Sequence, residues 1–598
     1  MSFRPLPLLA AFALSACAAS PIQNTTITKA ANPNADAQLA QLFADYWEAN
    51  LRHNPVTATF IGDPRYNDRL PNTLTAAWRA QDLAFEREWL ARVNAVSTQG
   101  LSEQSLLSLD IFKREREQGI EGYEHPGHLI PINQFYNLAG LMAQLGSGTS
   151  AQPFRTTKNY DDWLLRAGKL PGVLDQAILN MREGMRQGVV QPRVLMEKVL
   201  PQLDALISDD PTQTLFYRPI ANFPDAVEAA DRERLTTAYT ALIRDELMPA
   251  YRRLRGFIAE IYLPASRDTV GLDGVPGGEA WYAYLAKLRT TTDKRPAEIH
   301  QIGLDEVARI HTEMRRVIKE LGFKGDLQAF FKFLDTDPQF EFESEEALLA
   351  AYNGLRDKVE AGADKLFALK PKADFEIRPV EPFRAKSAAG GSYQRPSQDG
   401  SRPGVFYVNT YDLPSRKIWD MEDLFLHEAI PGHHFHLALQ QELTDLPAFR
   451  RFGGTTAYTE GWALYAESLG KDLGVYTDPY SYFGYLQNEL WRAIRLVVDT
   501  GLHSKGWSRK KTIDYMLANS AISETQAVAE AERYMAIPGQ ALAYKMGELK
   551  IKALRAQAEA ALGERFDIRA FHTEILRDGS VPLDVLETKV QRWIQRQD

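Results

Sequence analysis

Four of the 11 histidines in this chain fall within ten residues, in the segment Leu426-His-Glu-Ala-Ile-Pro-Gly-His-His-Phe-His436. Imidazole and carboxylate are the ligands zinc takes where thiolates are lacking, and this window supplies both. The common zinc-peptidase motif HExxH sets two histidines four apart on one helix face, with the intervening glutamate as general base. Here the position four residues after His427 is Pro431. On an unbroken helix His433 would lie about 240° round from His427, and His434 nearly in line but about 10 Å along the axis. A proline inside a helix also costs about 3 kcal/mol and clashes with the preceding turn. The segment therefore predicts a helix over 418–430, a kink at Pro431 and Gly432, and a second helix beginning there. Such a kink swings either His433 or His434 to the metal. A third ligand is expected from Thr459-Glu-Gly-Trp-Ala-Leu-Tyr-Ala-Glu467, a helical stretch with a carboxylate at Glu460. Glu467 falls on the same face two turns later, placed to hold a ligand histidine from behind.

The elements that must position these groups read as mostly helical. Leu39, Leu42, Phe43, Tyr46, Trp47 and Leu51 step by three and four from Asp36 onward. Pro296 opens a long helix whose stripe runs Ile299, Gly303, Val307, Ile310, Met314, Val317 and Leu321, with Gly322 ending it. The Pro- and Gly-rich stretch 264–280 is the strongest internal break and predicts a lobe boundary between an N-terminal helical region, 36–265, and a catalytic region, 280–598. Strand-like sequence is scarce, and its best example is 405–411, β-branched and aromatic. The fold class expected is mainly α, with a small β-sheet beside a helical active site.

Composition narrows the function. The chain has 598 residues, 44% hydrophobic and 25% charged, with 69 Lys and Arg against 78 Asp and Glu, a formal charge of −9. Mild acidity without blocks of like charge argues against nucleic acid as a partner. One cysteine excludes internal disulfides and thiolate zinc clusters, so any zinc rests on histidine and carboxylate. That cysteine, Cys17, ends a short basic start and an apolar stretch too short to span a membrane. Leu14-Ser15-Ala16-Cys17 resembles the lipobox of bacterial lipoproteins, in which the cysteine is lipidated and becomes the mature N-terminus. Ala18 in place of Asp then implies sorting to the outer membrane, facing the periplasm. Residues 18–35 read as a flexible tether.

The HEAIPGHH and EGWALY segments resemble the bacterial domain-of-unknown-function 885 family, whose members are often lipoproteins. The resemblance extends through 281–291, 298–307, 399–409, 492–503 and 532–547, covering most of 280–550, and more loosely into the N-terminal part. The family is placed near the gluzincin peptidases: thimet-type oligopeptidases, Taq-type carboxypeptidases and angiotensin-converting enzyme. It implies a two-lobed helical zincin-like peptidase fold with a deep channel. Its pattern HExxPGH implies His433 as second ligand, beside His427 and Glu460, with Glu428 as base, and leaves His434 and His436 behind the ligands or in packing. A late tyrosine on the oxyanion in the related peptidases implies that role for Tyr544.

Other roles are read from residue type and spacing. Arg495, Asp499 and His503 step by four on a helix, which makes His503 a second oxyanion candidate oriented by Asp499. Arg492, Arg495 and Arg533 are candidates for a substrate carboxylate, and the strand 405–411, with Tyr407, for an extended peptide. The function expected is a lipid-anchored zinc metallopeptidase cutting short peptides by metal-activated water. The alternatives are a zinc hydrolase of a non-peptide amide, or a binding lipoprotein without catalysis. A purely structural metal site has no need of the base at Glu428.

Overall fold

In the computed structural model of the protein, which describes residues 33–381, 385, 389–396 and 403–597, the N-terminal apolar stripe folds into a helix. Helix Pro33–His53 buries Leu39, Phe43, Tyr46 and Leu51. The segment expected as tether up to residue 35 thus gives way to helix at Pro33, and Cys17 lies outside the described residues. Helix Pro296–Glu320 has its proline at the first turn, buries Ile299, Gly303, Val307, Ile310, Met314 and Val317, and stops at Gly322, whose φ is +68°. Proline there sacrifices no helical hydrogen bond, and glycine accepts the left-handed turn that ends the helix.

The chain is mainly α. Among the described residues two hydrophobic cores are large, though not separated in chain order, and a smaller cluster around Trp281, Tyr282 and Leu542 draws on residues from Leu129 to Met546. One large core takes Leu39 through Phe112 together with most apolar positions from Val307 to Ile594. The other is built within Ile132 to Tyr262. The stretch 264–280 is irregular apart from a 3-10 turn, Leu272–Gly274, and leads into helix Gly278–Thr290. Among the described residues no helix is long and apolar enough to cross a membrane.

Three strands, β1 (Phe375–Pro379), β2 (Gly391–Gln394) and β3 (Gly404–Val408), form one sheet in the order β1-β3-β2. β3 runs parallel to β1 and antiparallel to β2. The strand predicted at 405–411 is therefore real but shorter, and it is central. Both its edges are already paired, so it cannot add a substrate strand. This corrects the expectation for 405–411 and for Tyr407, whose hydroxyl donates to Gln394 Oε1 at 3.2 Å within the sheet. The sheet does lie beside the helix that carries His427: Phe406 of β3 meets Phe425 with ring centroids 6.3 Å apart.

Candidate metal centre

The helix bearing the motif runs Ile418–Glu428 and buries Phe425, Leu426, His427 and Glu428. It ends two residues earlier than predicted, because Ala429 leaves helical space at φ −107°, ψ −106°. A cis Ile430–Pro431 bond follows, and the next helix is His433–Glu442. The chain folds back so tightly that a Cβ on Gly432 would sit 2.0 Å from the His427 carbonyl oxygen and 2.3 Å from that of Leu426. Only glycine fits this approach. Trp462 Nε1 donates to the Pro431 carbonyl at 2.8 Å and ties the turn to helix Thr456–Glu467. The result sets the His427 and His433 rings 4.7 Å apart at 83°.

Glu460 comes from the first turns of helix Thr456–Glu467, which crosses helix Leu542–Leu562 at two glycines. A Cβ on Gly461 would lie 2.4 Å from the Gly547 Cα, and one on Gly547 only 1.9 Å from the Ala457 carbonyl oxygen. Gly547→Ala is accordingly expected to force the helices apart and destabilise the protein by about 1–3 kcal/mol or more, as overpacking does. Denaturant unfolding checks this, and an unchanged midpoint would show that the crossing tolerates the methyl group.

These elements bring one ligand atom each from His427, His433 and Glu460 within 4.8 Å of one another. His427 Nε2 lies 3.8 Å and His433 Nε2 3.4 Å from Glu460 Oε2. Ligands about 2.1 Å from one tetrahedral ion lie about 3.4 Å apart, so small side-chain shifts would let the three groups hold one metal ion. Glu460 Oε2 is buried without a hydrogen-bond partner, an orphaned anion that a cation would satisfy. Burial works to raise the Glu460 pKa, but His433 and His427 outweigh it and hold the carboxyl at about 2. The donor set is the two histidines and one glutamate of catalytic zinc sites.

Behind the ligands, Glu467 Oε1 lies 2.6 Å from His427 Nδ1, as the spacing predicts. A carboxylate there fixes the ring's tautomer and orientation. Glu467→Gln is expected to weaken zinc binding about 10–100-fold, read by competition with a chelator of known affinity. Unchanged affinity would remove Glu467 from the site.

A family model described as "Bacterial protein of unknown function (DUF885)" matches residues 55–590. The chain belongs to this family. By structure the DUF885 chain is similar to a candidate lipoprotein of Colwellia psychrerythraea, at 29% identity and a TM-score of 0.85, covering 94% of this chain and 100% of the other. A candidate lipoprotein of unknown function from Shewanella oneidensis shares the fold at 19% identity and a TM-score of 0.74, covering 92% and 99% of the two chains. No curated protein matches this chain by sequence.

The remaining candidates in the DUF885 chain divide. Glu428, next to His427, is buried, and burial raises its carboxyl to about 7 against the pull of His433. Tyr544 lies in the first turn of helix Leu542–Leu562, near enough to Glu460 and Arg495 to feel both charges. Its hydroxyl accepts from Gln540 Nε2 at 3.4 Å, which leaves its own proton to donate.

His434 turns away from the ligands: Tyr393 Oη lies 2.9 Å from its Nδ1, and its ring packs 4.5 Å from Phe375. It joins helix to sheet, which corrects its expected place behind the metal. His436 is likewise buried in packing, 5.1 Å from the Tyr458 ring.

His503 is also corrected. It is fully buried, its Nδ1 accepts from the Leu272 N–H at 3.0 Å, and its Nε2 lies 3.0 Å from the Tyr534 carbonyl oxygen. Both ring nitrogens are committed to backbone, and burial lowers its pKa to about 3. Asp499 does not orient it, since that carboxylate accepts from Tyr282 Oη at 2.6 Å and the Gly539 N–H at 3.1 Å. Arg492 bonds Asn488 Oδ1 at 2.9 Å and reaches Glu467 Oε1 at 3.5 Å, which places it next to the carboxylate that holds His427.

Sequence reasoning missed several supports. Asp423 is one helical turn before His427, a spacing that could have flagged it. It is buried, raises the charge density around Glu467, and accepts from Tyr476 Oη at 3.1 Å. Arg395, just beyond β2, opposes protonation of His433 and His436. Glu530, one turn before Arg533, binds both Arg495 and Arg533.

Proposed function

We propose that this protein is a zinc-dependent metallopeptidase of short peptides. The observation that carries the reading is the convergence of His427, His433 and Glu460 on one point, with the orphaned Glu460 Oε2 at its centre and Glu428 alongside. When bound there, zinc supplies a Lewis acid for water and for a peptide carbonyl.

The chain's own groups do the rest. Glu428 takes a proton from the attacking water onto a carboxylate oxygen and later gives it to the nitrogen of the leaving amine. Tyr544 donates a hydrogen bond through its phenolic O–H to the developing oxyanion and keeps its proton. Glu467 and Arg492 hold His427 in place from behind. With β3 enclosed, β1 and β2 are the two outer strands, and β2, which packs on the motif helix, is the one to which an extended peptide would add its backbone. The substrate would lie in a channel between the lobes.

The lipobox-like segment ending at Cys17, together with the candidate lipoproteins among similar structures, supports lipid anchoring at Cys17. A signal segment over 1–17 and a tether up to the helix at Pro33 would then place the enzyme at the outer membrane, facing the periplasm.

The test combines metal analysis of the purified protein with mass-spectrometric screening of a peptide library. Stoichiometric zinc and zinc-dependent cleavage are expected. Absence of a tightly bound metal at neutral pH after zinc loading, or cleavage insensitive to chelation, overturns the reading.

A further inference from the structure

One wall of the site carries more positive charge than its own residues neutralise. Helix Pro479–Ser504 presents Arg495 and helix Glu524–Ala536 presents Arg533, with side chains only 12% and 19% exposed. Both guanidiniums bond the same carboxylate oxygen, Glu530 Oε2, at 3.3 Å from Arg495 Nη2 and 3.2 Å from Arg533 Nη2. Tyr534 donates its hydroxyl to that oxygen as well, so its acceptor capacity is spent. Arg533 Nε also lies 3.1 Å from Oε1 of the same carboxylate, and the other bonds of the pair go to neutral atoms: Arg495 Nε to Tyr534 Oη at 3.1 Å, and Arg533 Nη1 to Gln540 Oε1 at 3.2 Å. Two guanidiniums hydrogen-bonded to one carboxylate leave a positive charge with no bonded counterion in a nearly buried place; Asp499 feels the charge of Arg533 but its oxygens accept from Tyr282 and Gly539 instead. Burying an unpaired charge is costly unless something pairs with it. Arg495 also helps to hold down the Glu460 carboxyl, but that charge is already shared with His433 and His427.

The surplus lies next to the proposed chemistry. The Arg495 guanidinium carbon stands 4.7 Å over the Tyr544 ring. Gln540 links Arg533 to the Tyr544 hydroxyl through its two amide atoms. An anion received here would sit beside the phenol assigned to the scissile carbonyl. Guanidinium is the side chain best matched to a carboxylate, which it can grip through two parallel N–H bonds.

From this we infer that Arg495 and Arg533 receive the free C-terminal carboxylate of the substrate, and that the protein is a carboxy-terminal exopeptidase. The inference rests on the peptidase reading and narrows its substrate class. An aspartate or glutamate side chain offers the same carboxylate. The terminus is favoured because it lies close to the last peptide bonds whatever the sequence.

Binding tests this without turnover. The full chain carrying Glu428→Gln is titrated into three dansylated alanine tripeptides, followed by fluorescence anisotropy with and without zinc. One ends in a free acid, one in a carboxamide, and one in aspartyl carboxamide. The acid is expected to bind about 10–100-fold more tightly than the carboxamide, the range of a charge-assisted contact. Arg533→Gln is expected to abolish that preference. Glu530→Gln, which keeps both arginines and removes their internal counterion, is expected to tighten the acid alone and guards against a misfolded Arg533 variant.

Equal binding of acid and carboxamide overturns the inference, and so does a preference that survives Arg533→Gln. Aspartyl carboxamide binding as tightly as the acid also overturns it, in favour of an acidic side-chain subsite. Wild-type cleavage of amidated and free peptides at equal rates keeps the peptidase reading and removes this one. An acid preference in a protein that cleaves nothing supports the carboxylate site and removes the peptidase reading.

Discussion

Glu428→Gln is expected to lower peptide hydrolysis about 10²–10⁴-fold, the contribution of a well-placed general base, while zinc stoichiometry stays at the wild-type value. Glu428 closes the motif helix and follows His427 directly, so its carboxyl lies beside the ligand cluster without belonging to it. Among the described residues no hydrogen bond or ion pair engages its carboxylate, so no protein group competes for the proton it would take. Glutamine keeps the side chain's size and removes only the ability to take a proton. The substitution breaks no described bond, so folding and metal affinity should hold. Steady-state kinetics on a peptide found in the library screen, run beside metal analysis and circular dichroism, decide it. A variant within about tenfold of wild type would place the base elsewhere. A variant that loses its zinc would make Glu428 part of the ligand set.

Much of the scaffold was readable because it is amphipathic helix. Ile299, Gly303, Val307, Ile310, Met314 and Val317 follow a period that depends only on which side faces the core, and all are buried. His427 and Glu460 were readable for a different reason: with one cysteine in the chain, residue type alone narrows a zinc site to histidine and carboxylate. The choice between His433 and His434 was not readable from helical geometry. It depends on the dihedral angles of Ala429 and Gly432, which no helical period describes. His503 misled for a third reason. Its spacing from Asp499 suggested an oriented imidazole, but its partners are the backbone of Leu272 and Tyr534, 231 and 31 residues away. Asp499 likewise belongs to Tyr282 and Gly539. Strand 405–411 could be recognised by its own residues, whereas its central place depended on β1 and β2, neither of which carries a strong strand pattern. Local periodicity exposes which face is buried, but long-range pairing decides which polar group is free to act.

His433→Ala and His434→Ala, neighbours in sequence, should therefore behave in opposite ways. His433→Ala removes one of the three converging ligand atoms and is expected to abolish stoichiometric zinc, a loss larger than the about 10–100-fold expected when an outer partner such as Glu467 is changed. His434→Ala is expected to keep zinc. It removes the ring packed on Phe375 and the 2.9 Å contact between Tyr393 Oη and the imidazole, costing about 1–3 kcal/mol of stability. Scanning calorimetry with and without zinc separates the two effects. A metal at about 100 times its dissociation constant stabilises the native state by about 2.7 kcal/mol. Wild type and His434→Ala should therefore melt higher with zinc, the latter from a lower starting point, while His433→Ala should melt at the same temperature either way. Destabilisation alone cannot produce that pattern, because a packing defect lowers both curves and leaves the zinc increment intact. Should the increment vanish in His434→Ala and survive in His433→Ala, the second ligand would be His434, and the fold-back at Gly432 would have to open for it to reach the metal.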